Sequence, residues 1–169
     1  MKRSWGCAVV VAAVVVVFSL PPPASAQTTQ VEGVTVTSAD VHEFLAALHQ
    51  ALQPNDATVP VFVSVKPASQ MPAYDQHAHY AGMEKMASGA IHLNIWVDAD
   101  LKGDMLQNAL LAAFALAVAD GGYGGSAFKQ LYDIYAARDA QLPADAPDPY
   151  LNRHKFAAAL VHFIETGTQ

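Results

Sequence analysis

The chain has 169 residues, with nine Lys or Arg, fifteen Asp or Glu, seven His and one Cys, and a formal charge of −6. The acidic balance excludes the basic face that nucleic acids and anionic membranes require. A single cysteine excludes a disulfide framework.

The N-terminus reads as a secretory signal. "MKRSWG" carries two positive charges, "CAVVVAAVVVVFSL" is apolar, and "PPPASAQ" breaks the run and ends in small residues. Cleavage is expected after Ala26, which predicts a periplasmic or extracellular protein. The apolar run is shorter than the roughly 18 residues of a permanent membrane anchor. Residues 27–169 then form one domain of 143 residues, with no membrane attachment. Without Lys2 and Arg3, seven basic residues face fifteen acidic ones, a formal charge of −8. Cys7 leaves with the signal, and with it any thiolate nucleophile or Cys metal ligand.

"TSADVHEFLAALHQALQPN" has the period of an amphipathic helix. Ser38 or Asp40 is the expected cap, Val41, Phe44, Leu45, Leu48 and Leu52 form the apolar stripe, and Pro54 is the stop. His42 and His49 fall on the polar face. "TVPVFVSVKP" is β-branched and bounded by prolines, so it reads as a strand. Residues 68–88 show no sustained period and read as a loop with a short extended piece. "GAIHLNIWVDAD" alternates Ile91, Leu93, Ile95 and Val97 with His92, Asn94, Trp96 and Asp98, a second strand.

Every residue from Ala109 to Ala119 is apolar, which predicts a central helix buried nearly all round, with Gly121 and Gly122 ending it. "SAFKQLYDIYAARDAQLP" predicts an amphipathic helix with Phe128, Leu131, Tyr132 and Tyr135 on one side. After the Pro/Asp turn "PADAPDPY", "YLNRHKFAAALVHFIE" predicts a last helix burying Phe156, Leu160, Val161 and Ile164. His154 and His162 bracket it as boundary residues. The expected fold class is α+β: a small β-sheet packed against three to four helices, one central and buried.

"HAHYAGMEKM" is the densest run of soft donors. His77 and His79 share a face on an extended backbone, Met83 and Met86 could add thioethers, and His92 is a further candidate ligand; such a set suits copper, with zinc as the alternative. "DADLKGD" sets Asp98, Asp100, Gly103 and Asp104 like the start of a calcium loop. Lys102 and Ala109 stand where oxygen ligands belong, and capping by Asp104 explains the acids better. "GYGGSA" lacks the preceding strand of a dinucleotide site. Ser126 lacks a nucleophile elbow, since Phe128 replaces its final glycine. Asp133 and Asp139 read as surface charge.

From strand to Gly-Gly end, residues 90 to 140 resemble the core of a small zincin-type metallopeptidase in their order of elements. In that family an edge strand holds peptide and the buried helix carries H-E-x-x-H. Here "AFALA" (113–117) or "FALAV" (114–118) fills that window, so no zinc or catalytic residue transfers. The resemblance implies a degenerate, non-catalytic scaffold that binds a protein or peptide. Strand pairing at an exposed edge of residues 90–97 is the expected mode, with Tyr80, His92, Asn94 and Trp96 as contact residues. The alternative is a periplasmic copper- or zinc-binding protein using the His/Met cluster.

Overall fold

The computed structural model describes residues 28–53, 58–75, 77–100 and 102–166. The expected signal segment lies outside them. The chain opens with a hairpin of β1 (Thr28–Val31) and β2 (Val34–Thr37). Glu32 and Gly33 turn it with φ of 51° and 82°, the pair of positive values a two-residue hairpin turn requires. Arg138 clamps Glu32 with two hydrogen bonds of 2.9 and 2.6 Å.

Helix α1 (Ser38–Ala51) follows directly. Its cap is Thr37, one residue before the expected Ser38. The Thr37 hydroxyl accepts from the Asp40 N–H, and Asp40 accepts from the Thr37 N–H, a reciprocal capping box. Phe44 and Leu48 are buried, while Val41, Leu45 and Leu52 pack partly buried against the core.

Strands β3 (Val61–Lys66), β4 (Ala78–Lys85) and β5 (Ile91–Asp98) form a second sheet in the order β3-β5-β4. β3 runs parallel to β5 and β4 antiparallel to it. β4 is a full eight-residue strand where the sequence suggested mostly loop. Its pairing slips between Tyr80 and Gly82, which breaks the two-residue period. On β5 the expected alternation holds. Leu93, Ile95 and Val97 are buried, and the first two are fully so, each contributing roughly 1.5–3 kcal/mol.

Helix α2 (Gly103–Gly121) is the centre of the molecule, with Ala113 to Ala119 buried. It touches β4, β5 and the other three helices. Asp104 lies in its first turn, and its N-cap, Lys102, makes no side-chain cap bond. Gly122 ends it at φ 71°, returning its N–H to the carbonyls of Val118 and Ala119. Among the described residues no single helix is long and apolar enough to cross a membrane.

Helix α3 (Gly125–Asp139) begins where the chain crosses α1. A Cβ on Gly124 would lie 2.4 Å from the Phe44 ring, so the glycine permits the approach that stacks Phe44 on Phe128. Helix α4 (Leu151–Thr166) returns across α2 and α3. Phe156 and Leu160 are buried, with Val161 and Ile164 less so. Two small sheets packed with four helices, one of them central, make this an α+β fold.

Candidate functional site

A cavity of about 200 Å³ opens between β4, α2 and α4. Methyl groups make its walls. Ala109, Ala112, Ala113 and Leu116 come from one face of α2, Ala157 and Ala158 from α4, and Ala78 from β4. Asp75, His77 and His154 supply the polar side, and the ring of Tyr80 closes one wall. The Tyr80 hydroxyl donates to Asp120 at 2.8 Å. Burial and the nearby Asp120 carboxylate push the Tyr80 pKa well above the usual phenol range.

Four titratable groups line up behind that polar side. Asp75 Oδ2 lies 3.1 Å from His79 Nδ1 and 3.4 Å from His154 Nε2. His154 Nδ1 in turn lies 2.9 Å from Asp148 Oδ2. Burial by itself would lower the His154 pKa, but hydrogen bonds and charge from Asp75 and Asp148 reverse this and raise it. Burial would likewise raise Asp75, yet bonding to His154 and His79 holds it below the usual carboxylate range. The array ties together the loop before β4, β4 itself, the turn before α4, and α4. Tyr74, Tyr150 and Trp96 surround His79, with ring centroids 5.7–5.9 Å from its own.

Asp139 sets the position of α4. It is 6 % exposed and accepts from the N–H groups of Asn152 and Arg153, at 2.7 and 3.3 Å, and from Arg153 Nε at 2.7 Å. A residue that read as surface charge is therefore an acceptor for the first turn of α4, one residue before His154. Arg153 spans from Asp139 to the face of Tyr150, 4.1 Å from its centroid.

The five soft donors of the sequence do not converge. His79 faces Trp96 across the sheet and bonds Asp75, and His92 faces Glu84 and stacks on Phe62 at 3.7 Å. Trp96, the β5 partner of His79, stands four residues from His92, about 13 Å along the strand. Met83 pairs with Leu93 and so lies on the opposite face from His92, and it is exposed, as Met86 is beyond the end of β4. His77 is exposed beside the cavity. Among the described residues no group of three or more His, Cys, Asp or Glu side chains could hold a metal ion.

The expected contact residues divide as well. His92, Asn94 and Trp96 share the outer sheet face, whereas Tyr80 points inward to Asp120. The expected free edge of residues 90–97 is absent: β5 is the middle strand, paired on both sides. Among the described residues the unpaired edges of this sheet belong to β3 and β4. Comparison with family models, curated proteins and solved structures finds no match to the chain.

Proposed function

We propose that this chain is an exported, non-catalytic binding protein that takes up a peptide segment as an added strand on the outer edge of β4. In this reading one peptide side chain enters the adjoining cavity. The observation that carries it is the meeting of an unpaired strand edge with a side-chain-sized cavity, the two features strand addition uses for affinity and for selection. The pairing pattern supports it. Asp98 N–H bonds the His77 carbonyl and Met86 N–H bonds the Ala90 carbonyl. By alternation, with one residue added at the bulge, the main-chain groups of Ala78, Tyr80, Met83 and Lys85 point away from β5, and Met83 and Lys85, the exposed pair, are where a strand would first add.

The cavity walls favour a small apolar side chain, and the acidic chain favours a peptide of net positive charge. Where the zincin-like resemblance would set metal ligands, α2 has Ala113 and Ala117, which suits binding without cleavage. The test is amide hydrogen exchange with a mixture of capped hexapeptides carrying terminal lysines and apolar centres. Protection of the outward β4 amides, lost in Ala158→Trp, which fills the cavity mouth from an exposed position, is the expected result. No protection on β4, or protection that Ala158→Trp leaves intact, refutes the reading.

A further inference from the structure

The outer edge of β3 has its own chemistry, independent of the β4 reading. Leu93 N–H bonds the Pro60 carbonyl and Ala99 N–H bonds the Lys66 carbonyl, so even-numbered residues turn their main-chain groups toward β5. Val61, Val63 and Val65 therefore turn theirs outward. The Val61 N–H is taken by the Val59 carbonyl at 2.8 Å, and Pro67 has no N–H. The free donors on this edge are those of Val63 and Val65. Among the described residues β3 pairs with β5 alone.

Large apolar side chains are exposed on both faces of the strand. Val63 and Val65 are 44 % and 47 % exposed on the face shared with Ile95 and Val97, and Phe62 is 44 % exposed on the other. An unprotected edge of this composition is a template for another strand. From Thr58 to Lys66 there is one charge, Lys66, and no acid, so the repulsion expected of a chain with charge −6 is weakest here.

We infer that β3 pairs antiparallel with β3 of a second copy, in the register that sets Ser64 against Ser64 across a two-fold axis. In that register Val63 exchanges both hydrogen bonds with Val65 of the second copy, and the reverse, so both free donors on each chain are used. The four valines meet at the seam. Val61 falls opposite Pro67, which pairs the two outward positions that have no free N–H. On the outer face Lys66 lies against Phe62 of the second copy. Lys66 already stands 5.3 Å from the Trp96 centroid, and Phe62 already stacks on His92. The result is two symmetry-related rows, each running from His92 and Phe62 of one copy to Lys66 and Trp96 of the other, with each cation between two aromatic rings and neither lysine facing the other. Such an interface is isologous, it closes, and it leaves the β4 edges free.

Sedimentation of the purified chain over a wide concentration range tests this, together with three variants in a Cys7→Ser background. The expected result is a monomer–dimer equilibrium whose dissociation constant rises more than tenfold in Val65→Lys. That variant should fold normally, by circular dichroism and melting, because Val65 is half exposed. Ser64→Cys should form an intermolecular disulfide on mild oxidation. Opposed residues of this type sit about 4.5 Å apart at Cα, within the range a disulfide spans. Val61→Cys should not crosslink. A monomer at every concentration, a dimer indifferent to Val65→Lys, or a dimer that Ser64→Cys does not crosslink overturns the inference.

Discussion

Replacing Asp139 by Asn tests how α4, and with it His154, is held at the cavity. The wild-type carboxylate accepts four hydrogen bonds: from the Asn152 N–H at 2.7 Å, Asn152 Nδ2 at 3.0 Å, the Arg153 N–H at 3.3 Å and Arg153 Nε at 2.7 Å. Asparagine keeps one carbonyl oxygen for Asn152 but turns an amide N–H₂ toward two Arg153 donors. A hydrogen bond to a charged group contributes roughly 1.5–3 kcal/mol, and a helix N-terminal acceptor roughly 1 kcal/mol. Arg153 is partly hydrated, which discounts the ion pair. The expected loss is about 3 kcal/mol, a Tm lower by about 6–12 °C for a domain of this size. Burial alone would raise the Asp139 pKa; the bonds from Arg153 and Asn152 more than reverse that and lower it. Its stabilisation is therefore complete above the unfolded carboxylate pKa of about 3.9 and is lost as pH falls through the depressed folded value. Thermal unfolding followed by circular dichroism reads both effects. A Tm at pH 7 within about 2 °C of wild type refutes this account of α4.

Three further perturbations bear on the same framework. His154→Gln should remove a stabilisation that is full below about pH 6.5 and fades as pH rises through the raised folded pKa of His154; denaturant titration at a series of pH values checks the sign, and an advantage of wild type that grows with pH contradicts it. Tyr80→Phe deletes the donor to Asp120 and should cost about 1–2 kcal/mol in urea unfolding, with a neutral result meaning that Lys129 and water satisfy Asp120 alone. Gly124→Ala sets a methyl 2.4 Å from the Phe44 ring and 3.2 Å from its Cα, so it should destabilise by about 1–3 kcal/mol through displacement of α1 from α3; an unchanged Tm would show that the two helices separate without cost.

The parts of the fold that sequence reveals are those where one face is wet and one dry. β5 is legible because Leu93, Ile95 and Val97 face helices while His92, Asn94 and Trp96 do not. α2 is legible because its second half, Ala113 to Ala119, is buried on every side. β4 is hidden for two physical reasons. Ala78, His79 and Tyr80 are all buried, since Tyr74 and Tyr150 cover the face that solvent would otherwise wet, and the bulge then shifts the period. The hairpin of residues 28–37 is short, and its turn needs Glu32 at positive φ, a weaker local signal than glycine. The polar array is hidden because its members are distant in the chain. Asp75 and His79 are four apart, but His154 comes 75 residues after His79, on a helix whose placement depends on Asp139. The soft donors of "HAHYAGMEKM" are close in the chain, and alternation across the sheet points them apart.

The walls of the cavity give the sharpest way to separate a retained space from a packing accident. The pocket is half open to solvent, so leaving its apolar lining uncovered costs roughly 25 cal/mol for each Å² that a side chain could bury. The polar groups of Asp75, His77 and His154 let water occupy part of it, which lowers that cost without removing it. Six wall residues are nevertheless alanine, five of them on helices, where leucine is accepted with little change in propensity. Ala112 is half-buried on the cavity face of α2, so Ala112→Leu extends into the open space and not into the core. Part of the 1.5–3 kcal/mol of a fully buried leucine should appear as stability, about 1 kcal/mol, or a Tm higher by about 2–4 °C. The same variant should abolish peptide-dependent protection of β4 amides if the cavity receives a side chain. Stability gained while binding is lost is the pattern of a space kept open for a ligand. A destabilised Ala112→Leu would mean the walls are closer than described, and a stabilised variant that still protects β4 would detach the cavity from binding.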